Sequence, residues 1–166
     1  MGCGRLENTR TSRFRERYAG GLSTAGLHSM TMTKTLMIVA ELAAINWALI
    51  VTASLIKAKA WKPSGLMAAL GNRDTQEDCN GFPARTDRAA RNMLENMVLF
   101  TALALVACVG GVTDPHVELG ARIFYWARLV YIPIYMIGIP VARTGVWAIS
   151  VIGMGMIFVS IVQALA

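Results

Sequence analysis

The sequence predicts an all-α integral membrane protein, built as a bundle of four helices joined in up-and-down order. Hydrophobic residues make up 55% of the 166 residues and charged residues only 16%, which is too apolar for an ordinary soluble domain. The apolar residues also form four stretches long enough to cross a hydrocarbon core of about 30 Å, which requires roughly 20 helical residues. Lipid-exposed backbone must satisfy its own hydrogen bonds, so each stretch is predicted to be a helix.

The four predicted spans cover residues 36–56, 93–112, 117–139 and 146–166. The third span is the least apolar because Arg122 and Arg128 lie inside it. Pro133 also lies inside it and should bend the helix, because proline removes a backbone hydrogen bond and clashes with the preceding turn.

The connections between the spans differ in length and charge. Residues 57–92 form a long polar connection, whereas residues 113–115 and 140–145 are predicted to be tight turns, which favour antiparallel neighbours. The first and third connections together carry eight Lys or Arg. The opposite side carries six, or one if translation starts at Met30 or Met32. Because positive loops tend to stay in the cytoplasm, we expect the long connection to be cytoplasmic.

Residues 1–34 are predicted to be an extension outside the membrane domain, which covers residues 35–166. The first 29 residues contain five Arg and scattered Ser and Thr, but no apolar core of a secretory signal peptide. We expect this extension to be disordered or to result from a misassigned start. The three cysteines are widely scattered and form neither a disulfide framework nor a zinc spacing, so no metal site is predicted.

Four polar residues share one helix face at the start of the second span. Arg88, Arg91, Asn92 and Glu95 are spaced i, i+3, i+4 and i+7. Charges at this depth are costly unless they face a partner, a cavity or a ligand. A solvated helix start, with both arginines reaching lipid headgroups, is the alternative. Glu95 does not fit that alternative, because a carboxylate gains nothing from anionic lipid. The set therefore favours a ligand site.

A second polar face follows on the third span. Arg128, Tyr131 and Tyr135 are spaced i, i+3 and i+7, and they reach the same cytoplasmic half of the membrane as the first face. The tyrosines alone would be typical of an interfacial aromatic belt, but Arg128 lies too deep for one. It requires an internal carboxylate, carbonyl or water partner. Near the opposite surface, Glu41 and Arg122 are predicted to pair, directly or across subunits.

These residues lie in sequence that resembles the MAPEG family, the membrane-associated proteins of eicosanoid and glutathione metabolism. GNRD at 71–74 and DRAARNMLENMVLF at 87–100 are similar to the bacterial branch of that family. GARIFYWARLVYIPIYMIGIP at 120–140, followed by Arg143 and Thr144, matches the third helix and its exit. The resemblance covers about residues 36–166, and its two polar motifs are specific in combination. It points to a bacterial inner membrane as the compartment.

The resemblance implies a homotrimer that binds glutathione between adjacent subunits, with the site open to the cytoplasm. In the members that use glutathione, the tripeptide is held by the residues at the positions of Arg88, Arg91, Asn92 and Glu95. The site is lined by the residues at the positions of Tyr131 and Tyr135, on the helix face that also carries Arg128. A basic residue at the end of the first span contributes from a neighbouring subunit, and here it is Lys57 or Lys59.

The resemblance also assigns the chemistry to the exit of the third span. The arginine at the position of Arg143 is proposed to stabilise the glutathione thiolate. In this sequence the adjacent Thr144 hydroxyl is a further candidate donor to sulfur. The residue types agree with this ligand, since two arginines suit its carboxylates, Glu95 suits its ammonium and a guanidinium favours the thiolate. Tyr131 stands where the prostaglandin synthase of the family has His, which argues against a prostaglandin or leukotriene synthase.

These observations favour a glutathione-dependent transferase or peroxidase that acts on lipophilic electrophiles or hydroperoxides entering from the bilayer. The alternative is a non-catalytic membrane scaffold that binds a lipid-like ligand. A transporter is disfavoured, because the sequence contains neither an inverted repeat nor a pair of broken helices. Nucleic-acid binding is also disfavoured, because the basic residues flank apolar spans and have no folded face of their own.

Overall fold

The structure, a computed structural model, describes residues 34–70 and 80–166. These residues form the helices α1 (Lys34–Ala58), α2 (Pro63–Leu70), α3 (Phe82–Val109), α4 (Pro115–Ile137) and α5 (Pro140–Leu165). The described part of the chain contains no strand, which confirms the predicted all-α class. The GNRD stretch and all of the predicted N-terminal extension except Lys34, where α1 begins, lie outside the described residues.

Four of these helices are long enough to form the predicted bundle. By length and composition, α1, α3 and α5 are each apolar enough to cross a membrane. The fourth long helix, α4, has 23 residues, but Arg122 and Arg128 lower its mean hydropathy. The large apolar side chains that remain exposed, such as Trp47, Val98 and Phe158, are expected to face lipid. The chain is therefore an integral membrane protein in which α4 brings polar residues into the bundle.

The turn before α5 is shorter than the sequence predicts. Gly138 ends α4 in the left-handed region at φ 91°, where glycine pays no steric penalty, and its N–H bonds the Ile134 carbonyl. Pro140 then begins α5, a position in which its fixed φ suits a helix. The predicted turn over residues 140–145 was therefore wrong, because Arg143 already lies in the first turn of a helix.

Helices α4 and α5 pack closely enough for their backbones to approach each other. A Cβ added to Gly120 would lie 2.5 Å from the Gly153 carbonyl oxygen, and one added to Gly153 would lie 2.7 Å from the Gly120 carbonyl oxygen. Both distances are shorter than any van der Waals contact, so this crossing requires glycine on both helices. Next to it, the stacked rings of Phe100 and Phe124, with centroids 4.2 Å apart, join α3 to α4 in the core.

An ionic cluster joins α1 to α4 at the end where both helices begin. Glu118 Oε1 accepts from Lys34 Nζ at 3.3 Å and also from the guanidinium of Arg122. Glu41 instead interacts with the hydroxyl of Tyr125. The predicted direct pair of Glu41 with Arg122 is thus replaced within the protomer by the i,i+4 pair of Arg122 with Glu118. The pairing of Glu41 with Arg122 across subunits stays a prediction.

Candidate functional site

A cleft opens at the end of the bundle where α3 and α5 begin and α4 ends. Its volume is about 270 Å³, and it is lined by Asn92, Tyr131, Tyr135, Arg143, Thr144 and Trp147. Five of these six residues belong to the site predicted from the sequence. The fold thus brings polar groups from three helices together around one cavity at the polar end of the membrane domain.

The turn between α4 and α5 places Arg143 over the tyrosines. Because α5 begins directly after Gly138 and Ile139, its first turn lies beside the last turns of α4. The Arg143 guanidinium carbon lies 4.9 Å from the centroid of the Tyr135 ring, and the rings of Tyr135 and Tyr131 have centroids 5.3 Å apart. A cation over an aromatic face is attracted by the ring quadrupole, so Tyr135 holds the guanidinium at the cleft.

Arg128 lies behind the cleft and is completely buried. Its Nη1 donates to Asn92 Oδ1 at 3.1 Å, and its Nη2 donates to Ser150 Oγ at 2.7 Å. The guanidinium also lies 5.2 Å from the ring centroids of both Phe124 and Tyr131. No carboxylate among the described residues pairs with it, and its Nε has no hydrogen-bond partner there. The internal partners of this buried charge are therefore an amide carbonyl and a hydroxyl.

The contact with Arg128 also orients the Asn92 side chain. Asn92 Oδ1 accepts both from Arg128 and from Asn96 Nδ2, the latter at 3.4 Å, and Asn96 Nδ2 also donates to the Asn92 backbone carbonyl at 2.8 Å. Ser150 Oγ, which accepts the other hydrogen bond from Arg128, in turn donates to the Trp147 carbonyl at 2.7 Å. Because its oxygen is occupied, Asn92 has its NH₂ group left to donate to a ligand in the cleft.

Thr144 has a different hydrogen-bonding role from the one predicted. Its Oγ1 donates to the Pro140 carbonyl at 3.1 Å, so its oxygen is left to accept rather than to donate. Donation to a sulfur atom would require the hydroxyl to leave that carbonyl. None of the six lining residues carries a carboxylate, whereas Arg143 carries a full positive charge. The cleft therefore offers a favourable environment to an anion.

The remaining predicted residues of α3 lie on its exposed surface, outside the cleft of one protomer. Arg88 and Glu95 are exposed, and neither makes a hydrogen bond or ion pair within residues 34–70 and 80–166. Glu95 is close enough to Tyr131 to interact with it electrostatically. This face therefore borders the mouth of the cleft without being covered by the protomer's own helices.

Two further cations near this mouth are paired inside the protomer. Arg91 Nη2 lies 3.1 Å from Asp87 Oδ2, and Lys57 Nζ lies 4.0 Å from the same oxygen. Asp87 therefore joins the end of α1 to the start of α3. Any role of Lys57 in the site of a neighbouring subunit would require it to release this carboxylate.

Three further residues, which the sequence patterns did not single out, complete the site. Trp147 lines the cleft, Ser150 holds Arg128, and Asn96 supports Asn92. Arg143, Trp147 and Ser150 are spaced i, i+4 and i+7, a helical pattern that would have revealed them if α5 had been predicted to begin at Pro140. Asn96 follows Asn92 by one helical turn and could have been recognised by the same rule.

The model of the MAPEG family matches residues 35–163 of the chain. No curated protein and no solved structure matches the chain. The matched segment contains all six residues that line the cleft and the polar face of α3.

Proposed function

Because this chain belongs to the MAPEG family, whose members generally use glutathione, we propose that it is a membrane-embedded glutathione-dependent transferase or peroxidase. Its substrates would be lipophilic electrophiles or hydroperoxides that arrive from the bilayer. The observation that carries this proposal is the anion-favouring cleft, in which Arg143 and the Asn92 amide converge without a carboxylate among the lining residues.

Arg143 supplies the activation step of the proposed reaction. A thiol is a weak nucleophile until it ionises, and a nearby guanidinium lowers its pKa by stabilising the thiolate. The thiol proton leaves to water, and the sulfur lone pair then forms a carbon–sulfur bond as the leaving group departs with its own electron pair. With a hydroperoxide, the thiolate attacks the outer oxygen and the O–O bond breaks, which releases the alcohol after protonation and leaves a sulfenic acid on glutathione. A second glutathione thiol then reacts with this sulfenic acid to form the disulfide and water.

The exposed face of α3 is proposed to bind the rest of the tripeptide. Arg88 and Arg91 have the planar, bidentate geometry that suits its two carboxylates, and Glu95 suits its ammonium group. Arg91 would exchange Asp87 for the ligand, a carboxylate for a carboxylate. Because this face is exposed in one protomer, we propose that a second protomer closes the site and that the assembly is a homotrimer.

The orientation follows from the charge at the cleft end. Lys57, Lys59, Lys62 and Arg85 all lie in or beside the connection that joins α1 to α3. Positively charged connections tend to remain in the cytoplasm, so the proposed site opens there, in a bacterial inner membrane. Glutathione is water-soluble and would reach the cleft from that side, while the lipophilic partner would approach from the bilayer.

Calorimetry on the purified protein in nanodiscs tests the proposal directly. Wild-type protein should bind glutathione and show ultraviolet thiolate absorbance on binding. Arg143→Ala should lose that absorbance, Arg143→Lys should keep part of it, and Lys34→Ala should behave as wild type because Lys34 lies at the opposite end of the bundle. Without any heat of binding at millimolar glutathione, the non-catalytic lipid-binding scaffold becomes the better description.

Two additional measurements test the binding face and the assembly. Glu95→Gln should weaken the binding of glutathione but leave the affinity for an analogue without the amino group unchanged. Equal losses for both ligands would mean that Glu95 does not bind the ammonium.

Chemical cross-linking in nanodiscs should give a trimer as the largest product, and an exclusively monomeric protein would contradict a site shared between protomers.

A further inference from the structure

A groove runs along the outer surface of α5, at the opposite end of the bundle from the cleft. Its volume is about 530 Å³. Its apolar wall consists of Ile152, Gly155, Met156 and Val159, which are spaced i, i+3, i+4 and i+7 and form one stripe along the helix. Gly155 deepens this stripe, and a Cβ added there would meet nothing within 4 Å. The shape of the groove therefore depends on that missing side chain, while the packing of the protein does not.

The length of the groove matches one leaflet of a bilayer. From Ile152 to Gln163 it follows α5 for about 16 Å at about 1.5 Å per residue. Half of a hydrocarbon core of about 30 Å is about 15 Å. Ile152 lies near the middle of α5, and Gln163 lies in its last turn. The groove thus extends from the membrane surface toward the midplane, as one acyl chain does.

The groove has a polar end at the membrane surface, built around Asp114. Asp114 Oδ1 accepts from the His116 backbone N–H at 2.9 Å and from the His116 ring Nδ1 at 2.7 Å, and Asp114 Oδ2 accepts from Ser160 Oγ at 2.7 Å. These hydrogen bonds lower the pKa of Asp114 to about 2, so the side chain is ionised at neutral pH. A carboxylate has about four acceptor sites, and one on Oδ2 remains open.

The lysine and arginine side chains near this end do not pair with Asp114, because Lys34 and Arg122 both pair with Glu118. His116 Nδ1 lies 2.7 Å from Asp114 Oδ1 and forms an ion pair with it when the imidazole is protonated, but this contact leaves Oδ2 accessible. Gln163, at the same end of the groove, has a carboxamide NH₂ group that can donate to an anionic oxygen. A fixed carboxylate beside a neutral donor suits a headgroup that has an ammonium next to a phosphate.

We propose that this groove binds a phospholipid with a primary ammonium headgroup, phosphatidylethanolamine, with one acyl chain along the α5 stripe and the ammonium on Asp114. The phosphate then lies at Gln163. A quaternary ammonium has no N–H to donate to Asp114 Oδ2, and an anionic headgroup is repelled by the carboxylate. The site therefore selects for phosphatidylethanolamine over lipids with the same acyl chains and other headgroups. It is separate from the cleft and does not rest on the proposed enzymatic function.

Native mass spectrometry of the delipidated full-length protein tests this site. The protein is titrated with phosphatidylethanolamine, phosphatidylcholine and phosphatidylglycerol that have identical acyl chains. We expect phosphatidylethanolamine to bind about tenfold more tightly than the other two lipids, which is the difference in affinity that one charge-assisted hydrogen bond can supply. Asp114→Asn should abolish this preference without unfolding α4, because asparagine is an equally good N-cap. Equal affinities of the wild type for all three lipids would overturn the proposal.

A pair of variants on α5 tests the apolar part of the groove. Gly155→Leu should fill it and reduce the binding of phosphatidylethanolamine by about tenfold, the order expected for losing roughly two buried methylene contacts. Val162→Leu, an exposed position of α5 outside the groove, should bind as wild type. Unchanged binding by Gly155→Leu would contradict the proposal. So would a disulfide between two protomers carrying Gly155→Cys, because a second copy would then occupy the groove.

Discussion

Arg128 Nη1 donates to Asn92 Oδ1 across 3.1 Å, and this contact links the buried charge of α4 to the polar face of α3. Arg128 is buried and does not line the cleft, whereas Asn92 does. The guanidinium therefore acts through Asn92. Because the guanidinium occupies the amide oxygen of Asn92, the amide NH₂ group is the part of the side chain that remains to contact a ligand. A charge that is costly to bury in a membrane thus orients a neutral residue of the site.

Replacement of Arg128 by Met tests this positioning role. Hydrogen bonds to a charged group contribute about 1.5–3 kcal/mol each, but removing an unpaired buried charge offsets much of that loss. We therefore expect a small change in the thermal unfolding midpoint and a decrease of about tenfold in the affinity for glutathione. Ser150→Ala leaves the contact with Asn92 in place and should keep the wild-type affinity. Wild-type affinity for glutathione in Arg128→Met would show that the orientation of Asn92 does not depend on Arg128.

The ring of Tyr135 should matter more than its hydroxyl for the activation of the thiol. Tyr135→Phe keeps an aromatic face 4.9 Å from the Arg143 guanidinium carbon, whereas Tyr135→Leu removes it. Arg143 and Tyr135 are both half-buried, and a cation–π contact is worth about 0.5–1 kcal/mol or more, so the leucine variant should lose at least about two- to fivefold in thiolate formation. Ultraviolet absorbance of bound glutathione measures this fraction. An equal loss in both variants would assign the effect to the hydroxyl.

The crossing of α4 and α5 should not tolerate a single added methyl group. Gly120→Ala places a Cβ 2.5 Å from the Gly153 carbonyl oxygen, so the helices must separate. Overpacking of this kind costs about 1–3 kcal/mol, and the unfolding midpoint in detergent should fall accordingly. Gly155→Ala, on the open side of α5, is the matched control and should not lower the midpoint. An unchanged unfolding midpoint in Gly120→Ala would mean that the two helices can separate without loss of stability.

Acid should weaken the link between the start of α4 and the end of α5. The pKa of Asp114 is lowered from 3.8 to about 2 in the folded protein. A lowered pKa stabilises the folded state above the unfolded value, and this stabilisation disappears as the pH falls toward the folded value. The unfolding midpoint should therefore decrease between about pH 4 and about pH 2.

Two variants separate this effect from general acid denaturation. Asp114→Asn keeps the N-cap but does not titrate, so its midpoint should depend less on pH across the same interval. Ser160→Ala removes one of the hydrogen bonds that lower the pKa of Asp114, so its acid-dependent decrease should be smaller and should end at a higher pH than that of the wild type. If both variants follow the wild-type curve, Asp114 does not contribute to the acid sensitivity.

Much of the fold follows from local patterns in the sequence. The long apolar stretches predict the helices, and the i, i+3 and i+7 spacing of Arg128, Tyr131 and Tyr135 places the two tyrosines on one face of α4, where their rings are in contact. The predicted start of α5 was wrong because residues 138–145 contain three turn-forming residues, Gly138, Pro140 and Gly145. The left-handed Gly138 completes the turn before Pro140, and Gly145 lies inside α5. The same error concealed Trp147 and Ser150, whose helical spacing begins at Arg143.

The amino-acid sequence alone predicts the all-α membrane class and the polar faces of two helices, because the period of a helix is a local property of the chain. Arg143 and Thr144 entered the predicted site only through the resemblance to the family. Which of these residues contact each other depends on tertiary packing. Arg128 meets Asn92 and Ser150 across 36 and 22 residues of sequence, and Gly120 meets Gly153, through contacts between different helices. Such contacts depend on how the helices pack, and no spacing within one helix encodes them.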